Sequence, residues 1–457
     1  MDMLLHDILW GVGAALAGGI IFALIGLISG TDETATIAPL TLLVILLGFP
    51  PVAVFSWFIA AAVSKHMTHA IPTALMGVPG DTMAVPMLKD ASILRRLGVP
   101  HIALRKMISG AILAAFVALP ISVGFATLLA PFAEHVKSWA PIIFTAAAVI
   151  IAYTSGGKWA SVAVLIPFAF FITGLNKMAI AGLGKGVFIS IFLGIAIGPL
   201  FSDIVTILSP ISRSHLQRKD RREFWLAPEL KTWSGYFPNP MKVLNRDQKL
   251  YTVLAAAISS LTFTFSPVGM TVMVGEIISS KVKSLYNRLT TSLAAMNGVT
   301  ESTYIAETII PLMAFGLPLS PMALGPAAPL FNAPPVYTTT PVVNNLHTLL
   351  APWQFFVYGF IGILVAFLVS YPFAMNYART ASVWVLEKVS QEAIISMFGG
   401  LIVVLAYYEA GIIGIAISIT VAIFGGILNR YFGIHTGVQF MTYYASGWLM
   451  LTLFGIK

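Results

Sequence analysis

The sequence predicts an all-α integral membrane protein of about ten to twelve transmembrane helices, organised as two inverted repeats that each contain a broken, re-entrant helix hairpin. Three observations predict it. The 457-residue chain is 58% hydrophobic and 10% charged, with mean hydropathy +0.89, whereas a soluble globular chain carries about 25% charged residues. Apolar runs at 8–29, 107–130, 140–155, 160–174, 186–208, 251–265, 354–372 and 395–427 each approach or exceed the roughly 20 residues that cross a bilayer as a helix. Finally, two stretches 239 positions apart repeat one motif: Ile71-Pro72-Thr-Ala-Leu-Met-Gly77-Val-Pro79-Gly80-Asp81-Thr82-Met83-Ala84-Val85 and Ile310-Pro311-Leu-Met-Ala-Phe-Gly316-Leu-Pro318-Leu319-Ser320-Pro321-Met322-Ala323-Leu324. Six of the fifteen positions are identical without a gap.

The run at 8–29 has no basic leader and no small-residue cleavage site, so it reads as a first helix and not as a removed signal peptide. It is interrupted by Ser29-Gly30-Thr31-Asp32-Glu33-Thr34-Ala-Thr36 and Pro39. Ser266-Pro267, Gly269, Thr271, Gly275 and Glu276 sit 237 positions further on. Hydroxyls and carboxylates supply hard oxygen ligands that suit Na⁺ as well as proton relay. Asp32, Glu33, Thr34 and Glu276, with Glu307 beyond them, are therefore candidate ion-coupling residues. A solvent-exposed loop between two helices accounts equally well for the 29–36 cluster.

The repeated motif carries the argument furthest. Two Pro and one Gly within an apolar run interrupt a helix at the same places in both copies. Main-chain groups freed in hydrocarbon cost several kcal/mol each unless they are buried in protein or line water. A pair of broken helices at corresponding positions of two halves points to a transporter's substrate site. Helix N-termini at such bends present free N–H groups and partial positive charge, which suit an anion such as a carboxylate. The competing reading is a pair of Pro-kinked helices packed for shape alone.

Polar residues gather beside each copy. Ser64, Lys65, His66, Thr68 and His69 precede the first, and Asp81 and Thr82 lie within it. Asn297, Thr300, Glu301, Ser302, Thr303, Glu307 and Thr308 precede the second, which contains Ser320. Ionisable groups at membrane depth are expensive and default to a functional reading. Lys65 and His69, four apart, share a helix face. The candidate substrate-binding set is Ser64, Lys65, His69, Gly77, Pro79, Gly80, Asp81, Thr82, Glu301, Ser302, Gly316, Pro318 and Ser320. Lys65 and His66 snorkelling at the interface is the plainer alternative. Two histidines without a placed third ligand do not define a zinc site, and no metal or other cofactor is expected beyond Na⁺ as a candidate coupling ion. Cysteine is absent, which removes disulfides and thiolate chemistry.

One long hydrophilic segment, 210–249, holds nine Lys and Arg against four acids. Its basic excess places it in the cytoplasm as a linker between a first repeat, 1–209, and a second, 250–457. The net charge of +8 is a topology signal and not grounds for a nucleic-acid partner. The motif flanks differ in the same sense. Lys89, Arg95, Arg96, Arg105 and Lys106 follow the first copy, whereas the second has no Lys or Arg between Arg288 and Arg379. Equivalent segments on opposite sides of the membrane are what an inverted repeat produces, with re-entrant hairpins at about 64–88 and 303–327.

Thr68-His69-Ala70-Ile71-Pro72-Thr73-Ala74-Leu75-Met76-Gly77-Val78-Pro79-Gly80 resembles the Gly-Gly-Ser-Ile-Pro-Ala-Ile-Leu-Leu-Asn-Thr-Pro-Gly stretch of the large permease subunit of tripartite tricarboxylate transporters, the TctA-like family. Glu301 to Leu319 is similar to that family's second stretch, and Ser29-Gly30-Thr31-Asp32 falls near its early Pro-Gly-Leu-Gly turn. Thr68-His69 replaces the Gly-Gly pair, Gly77 the Asn, and Glu301-Ser302 the Asn-Asn pair, so this is a divergent member and its substrate can differ. The resemblance implies ion-driven uptake of small organic anions through the prokaryotic cytoplasmic membrane. It also implies a small membrane subunit and an extracytoplasmic solute-binding protein as partners, and a homodimer is expected. The function expected is a secondary active permease working by elevator-like alternating access. The alternatives are an intramembrane enzyme using His66, His69 and a carboxylate, or an uncoupled channel.

Overall fold

The computed structural model describes residues 2–208, 210–211, 226, 233, 235–263, 267–333 and 344–455. Every regular element among them is helical: α1 (Asp2–Ile25), α2 (Glu33–Leu46), α3 (Pro51–Ile71), α4 (Leu88–Arg96), α5 (Pro100–Leu129), α6 (Ala133–Thr154), α7 (Trp159–Ala163), α8 (Leu165–Leu183), α9 (Phe188–Leu208), α10 (Pro240–Val243), α11 (Arg246–Leu261), α12 (Pro267–Lys281), α13 (Leu285–Phe315), α14 (Pro321–Leu324), α15 (Ala328–Phe331), α16 (Leu346–Leu349), α17 (Pro352–Lys388), α18 (Gln391–Phe432) and α19 (Thr436–Phe454). The predicted all-α membrane class holds. Leu4–Ile25, Pro100–Thr154, Trp159–Leu183, Pro352–Lys388 and Ser396–Phe432 are long and apolar enough to cross a bilayer. Side chains such as Ile150, Met178, Leu128 and Ile412 stand exposed on them, as lipid-facing residues do.

Local chemistry sets the starts of these helices. Pro51, Pro100 and Pro352 each open one, where the missing N–H costs nothing. Asp32 caps α2 by accepting from the N–H groups of Thr34 and Ala35 at 2.8 and 3.2 Å. Asn245 and Gln248 form a reciprocal capping box on α11. Of the basic linker, Arg213, Arg218, Lys219, Arg221, Arg222 and Lys231 lie outside the described residues, as does Ser266.

The helices around the two motif copies come in the same order. Three precede each copy, α1–α3 and α11–α13, and a long helix follows each, α5 and α17. Their packing exchanges the halves: α1 lies on α3 as α11 lies on α13, α17 crosses α1 and α3, and α5 crosses α11 and α13. Glycine permits the closest of these crossings. A Cβ at Gly110 of α5 would strike the Ala294 carbonyl of α13, and one at Gly26, beyond α1, would strike Lys65 and Thr68 of α3. Outside this centre, α9 pairs with α18 and α19 packs on α6 and α8. Glu409 on α18 caps α9, accepting from the N–H groups of Ile189 at 2.8 Å and Ser190 at 2.7 Å, while Lys185 donates to its carbonyl.

The motif segments differ from two short helices meeting at a bend. In each copy a long helix runs through or up to the first Pro and stops at the Gly. Pro72 opens one five-residue π turn, Pro72–Met76, directly after the 21-residue α3. Pro311 lies inside the 31-residue α13. Gly77 (φ 74°) and Gly316 (φ 64°) then adopt the left-handed conformation that ends a helix and favours glycine. Each donates its N–H to the motif Pro carbonyl five residues back, at 2.9 Å in both copies. Pro311 is tolerated because the carbonyl it leaves without a helical donor, that of Glu307, receives the Ser320 hydroxyl at 2.6 Å. The continuations differ: a 3₁₀ helix (Thr82–Met87) and α4 follow the first loop, whereas four-residue α14 and α15 follow the second.

Candidate functional site

The site grows from the end of α3. Lys65, His66 and His69 lie within its last two turns, all fully buried. The loop after Gly77 folds back over them because Gly80 has no side chain: a Cβ there would meet the backbone of His69. The loop is held by the Gly80 N–H on Thr73 Oγ1 at 3.2 Å, by Ser29 Oγ on the Pro79 carbonyl at 2.6 Å, and by the Gly30 N–H on the Gly80 carbonyl at 3.0 Å. Arg95 of α4 donates to the Met76 carbonyl. This brings Asp81 onto the α3 face.

Asp81 then does two things. Its Oδ1 accepts from the N–H groups of Met83 and Ala84 at 3.0 and 3.1 Å, capping the 3₁₀ helix. Its Oδ2 lies 2.6 Å from His69 Nδ1 and 3.3 Å from Lys65 Nζ. Lys65 also donates to Glu33 Oε1 at 2.8 Å. The lysine is therefore paired with two carboxylates of the chain and is not a free cation for a substrate anion. Glu33, His66 and Asp81 each offer a ligand atom within 4.8 Å of one another, but the Lys65 ammonium sits bonded between the two carboxylates. A metal ion in that position would face it at short range, so the trio is a poor metal site.

The second half reaches the same cluster through α13. His69 Nε2 lies 3.0 Å from Asn297 Oδ1, and Asn297 Nδ2 donates to the Met107 carbonyl of α5 at 3.0 Å. His66 Nδ1 lies 3.3 Å from Glu301 Oε2, and its ring packs edge-on against Tyr304 with centroids 4.6 Å apart. Asn297, Glu301 and Tyr304 repeat at helical spacing, so they line one face of α13.

The second loop is less charged. Ser320 caps α14 through the Ala323 N–H at 3.1 Å, and Glu307 Oε2 accepts from the Met322 N–H at 3.2 Å. The Gly316 carbonyl receives Asn345 Nδ2 at 2.9 Å. The two loops meet through α2: Glu33 serves the first, and the neighbouring Thr34 lies where a Cβ on Gly325, beyond the second, would strike it.

Of the predicted residues, Glu33, Lys65, His69, Asp81 and Glu301 converge in one buried cluster, with Gly77 and Gly80 shaping its loop. Ser64 is buried nearby, and its hydroxyl lacks a partner. Ser302 turns instead to Ser259, 2.6 Å away. Pro79 is half-buried, Thr82 and Glu276 are exposed, and Asp32 acts as a helix cap. Gly316, Pro318 and Ser320 form the second loop, and Glu307 reaches it from α13 through the Met322 N–H. The predicted set omitted His66, Thr73, Asn297 and Tyr304. The helical spacing of Asn297 and Tyr304 around Glu301, and of Thr73 around His69, is the signal that finds them.

No curated protein matches the chain, and no solved structure matches it. The model of the tripartite tricarboxylate transporter TctA family matches residues 12–436, nearly the whole chain. The predicted kinship is thereby confirmed, and the chain belongs to the tripartite tricarboxylate transporter TctA family.

Proposed function

We propose that the chain is the membrane permease of an ion-driven uptake system for small organic anions, tricarboxylates such as citrate or related carboxylates. The observation that carries this reading is the pair of matched loops, at Gly77–Thr82 and Gly316–Met322, beside a buried ionic cluster between the halves. Each loop leads into a short helix whose first N–H groups are held by a carboxylate of the chain, Asp81 in one and Glu307 in the other. Both ends thus hold a carboxylate, and a substrate carboxylate would bind there by displacing the chain's own from those N–H groups. The exchange of packing partners between the halves supports a two-fold relation between inverted repeats, and it favours alternating access by an elevator-like movement. The basic flank Lys89, Arg95 and Arg96 sets the first loop toward the cytoplasmic side of a prokaryotic cell membrane. A small membrane subunit and an extracytoplasmic binding protein complete the system, with the permease as a homodimer. Paired loops in the two halves argue against a single-site enzyme.

The test is uptake of radiolabelled citrate and related carboxylates into proteoliposomes under imposed Na⁺ or proton gradients, with the chain alone and with its partner subunits. Gradient-dependent, saturable uptake is expected. Conductance without saturation, or no uptake of any candidate, overturns the reading. A narrower test replaces Pro79 and Pro318 with Ala. Uptake falls in both variants if the loops form the site, and unchanged uptake makes them scaffolding only.

A further inference from the structure

His69 is held by neighbours at both ring nitrogens. The Met107 carbonyl takes Asn297 Nδ2, so the amide presents its oxygen to His69 Nε2. Asp81 receives donors at both oxygens, Lys65 on Oδ2 and two backbone N–H groups on Oδ1, so it is an ionised acceptor. Both ring nitrogens of His69 are therefore engaged, as is Lys65 by Glu33 and Asp81.

His66 and Glu301 stand apart from these bonded groups. His66 and Glu301 are fully buried, 3.3 Å apart from Nδ1 to Oε2, and neither makes a well-formed hydrogen bond through any side-chain polar atom. Glu33 stands 3.9 Å from the other ring nitrogen and is already bound to Lys65. The charged and titratable groups facing His66 are Glu33 from α2, with Asp32 at that helix's cap, and Lys65 and His69 from α3 itself. Asp81 faces it from the loop, and Glu301 and Tyr304 from α13. Among the described residues, Glu33 and Glu301 are the acids within ion-pair distance of it. A buried carboxylate left without a counter-charge is strongly disfavoured. Among the described residues the ion-pair partner of Glu301 is the His66 imidazole, a group that carries a proton.

We propose that His66 and Glu301 together form a single exchangeable proton site, and that this proton is the coupling ion. This rests on the permease reading and names its driving ion. One proton enters from water, is held between His66 Nδ1 and Glu301 Oε2, and returns to water on the other side. No bond other than those to the proton forms or breaks. The site is sealed in this conformation, and its two residues belong to different halves of the chain. Loss of the proton leaves an uncompensated charge in the seam between α3 and α13, which destabilises the sealed arrangement and ties opening to proton release.

The test compares the full chain in lipid nanodiscs with the Glu301→Gln and His66→Gln variants and their double mutant, by infrared difference titration across the pH range of stability. The wild type is expected to show one titrating event with both carboxyl and imidazole bands. Each variant loses that event, and the double mutant loses nothing further, because the two residues share one proton. The titration is unchanged when choline replaces Na⁺. A Na⁺-dependent titration, separate events removed one by one, or no such event in the wild type overturns the proposal, and the last needs no variant to fold. In proteoliposomes, Glu301→Gln is expected to lose accumulation driven by a pH gradient. Accumulation driven by Na⁺ alone in the wild type would refute the coupling role. If the shared event is seen but citrate is not carried, the substrate reading falls and the proton site stands.

Discussion

Replacing Lys65 with Met separates the ionic cluster into its parts. The substitution roughly keeps the buried volume and removes an ammonium 2.8 Å from Glu33 and 3.3 Å from Asp81. Removing one partner of a buried ion pair costs about 3–5 kcal/mol, mostly through the charge left behind. The two carboxylates do not share that cost equally. Asp81 retains His69 at 2.6 Å and two backbone N–H groups, whereas among the described residues the ion-pair partners of Glu33 are Lys65 and a histidine 3.9 Å away. The orphan is therefore Glu33. Lys65→Met/Glu33→Gln removes the stranded charge and should leave only about 1–3 kcal/mol of lost hydrogen bonding. Lys65→Met/Asp81→Asn keeps Glu33 stranded, weakens the His69 contact, and should be no better than Lys65→Met alone. The assay is thermal unfolding of the purified chain in nanodiscs at one fixed scan rate, followed by tryptophan fluorescence, since unfolding of such proteins is often irreversible. An unchanged midpoint for Lys65→Met, or better rescue by Asp81→Asn than by Glu33→Gln, would refute this account of the charges.

Gly77→Ala forces a side chain into the left-handed region, at roughly 1–2 kcal/mol, and into the Arg95 guanidinium. Gly98→Ala has a similar φ of 79° but open space around it, so the same thermal assay should show a clearly smaller loss. Gly110→Ala drives a methyl into the Ala294 carbonyl at the α5–α13 crossing and should cost about 1–3 kcal/mol. Gly124→Ala on the same helix meets nothing and should be neutral or slightly stabilising. Ser320→Ala removes the cap of α14 and the donor to the Glu307 carbonyl, for about 1–2 kcal/mol. Ser320→Asp keeps a cap acceptor but cannot donate, and it brings a charge toward Glu307, so it should rescue neither the midpoint nor uptake.

What the sequence made legible was local. Pro72, Gly77 and Pro79, and their counterparts Pro311, Gly316 and Pro318, act on their own backbone, so their spacing forecast two helix ends of the same form. The ionisable residues of α3 and α13 announced themselves by lying at membrane depth. Their partners did not. Lys65 pairs with residues 32 and 16 positions away, and His69 with one 228 positions away, and no sequence spacing encodes such contacts. The reading of Pro311 as a helix break failed because the missing bond is replaced from beyond the loop by Ser320. Glu276 matched a weak spacing analogy with the first half, yet it stands on the exposed side of α12.

The asymmetry between the motif copies explains why the charge lies on one side. Asp81 and Ser320 occupy the same motif position, and each caps the helix that follows its loop. A carboxylate has a second oxygen to spare after capping, and Asp81 uses it to gather Lys65 and His69. A hydroxyl has a proton to spare instead, and Ser320 spends it on the Glu307 carbonyl. Each loop thus bonds back to its own preceding helix, the second through a main-chain carbonyl and the first through the side chains of Lys65 and His69. Glu301, on the helix that leads to the uncharged loop, must find its compensation across the seam at His66. Matching helix ends carrying different caps thereby turn a repeat into two unlike partners, with the proposed proton site where they meet.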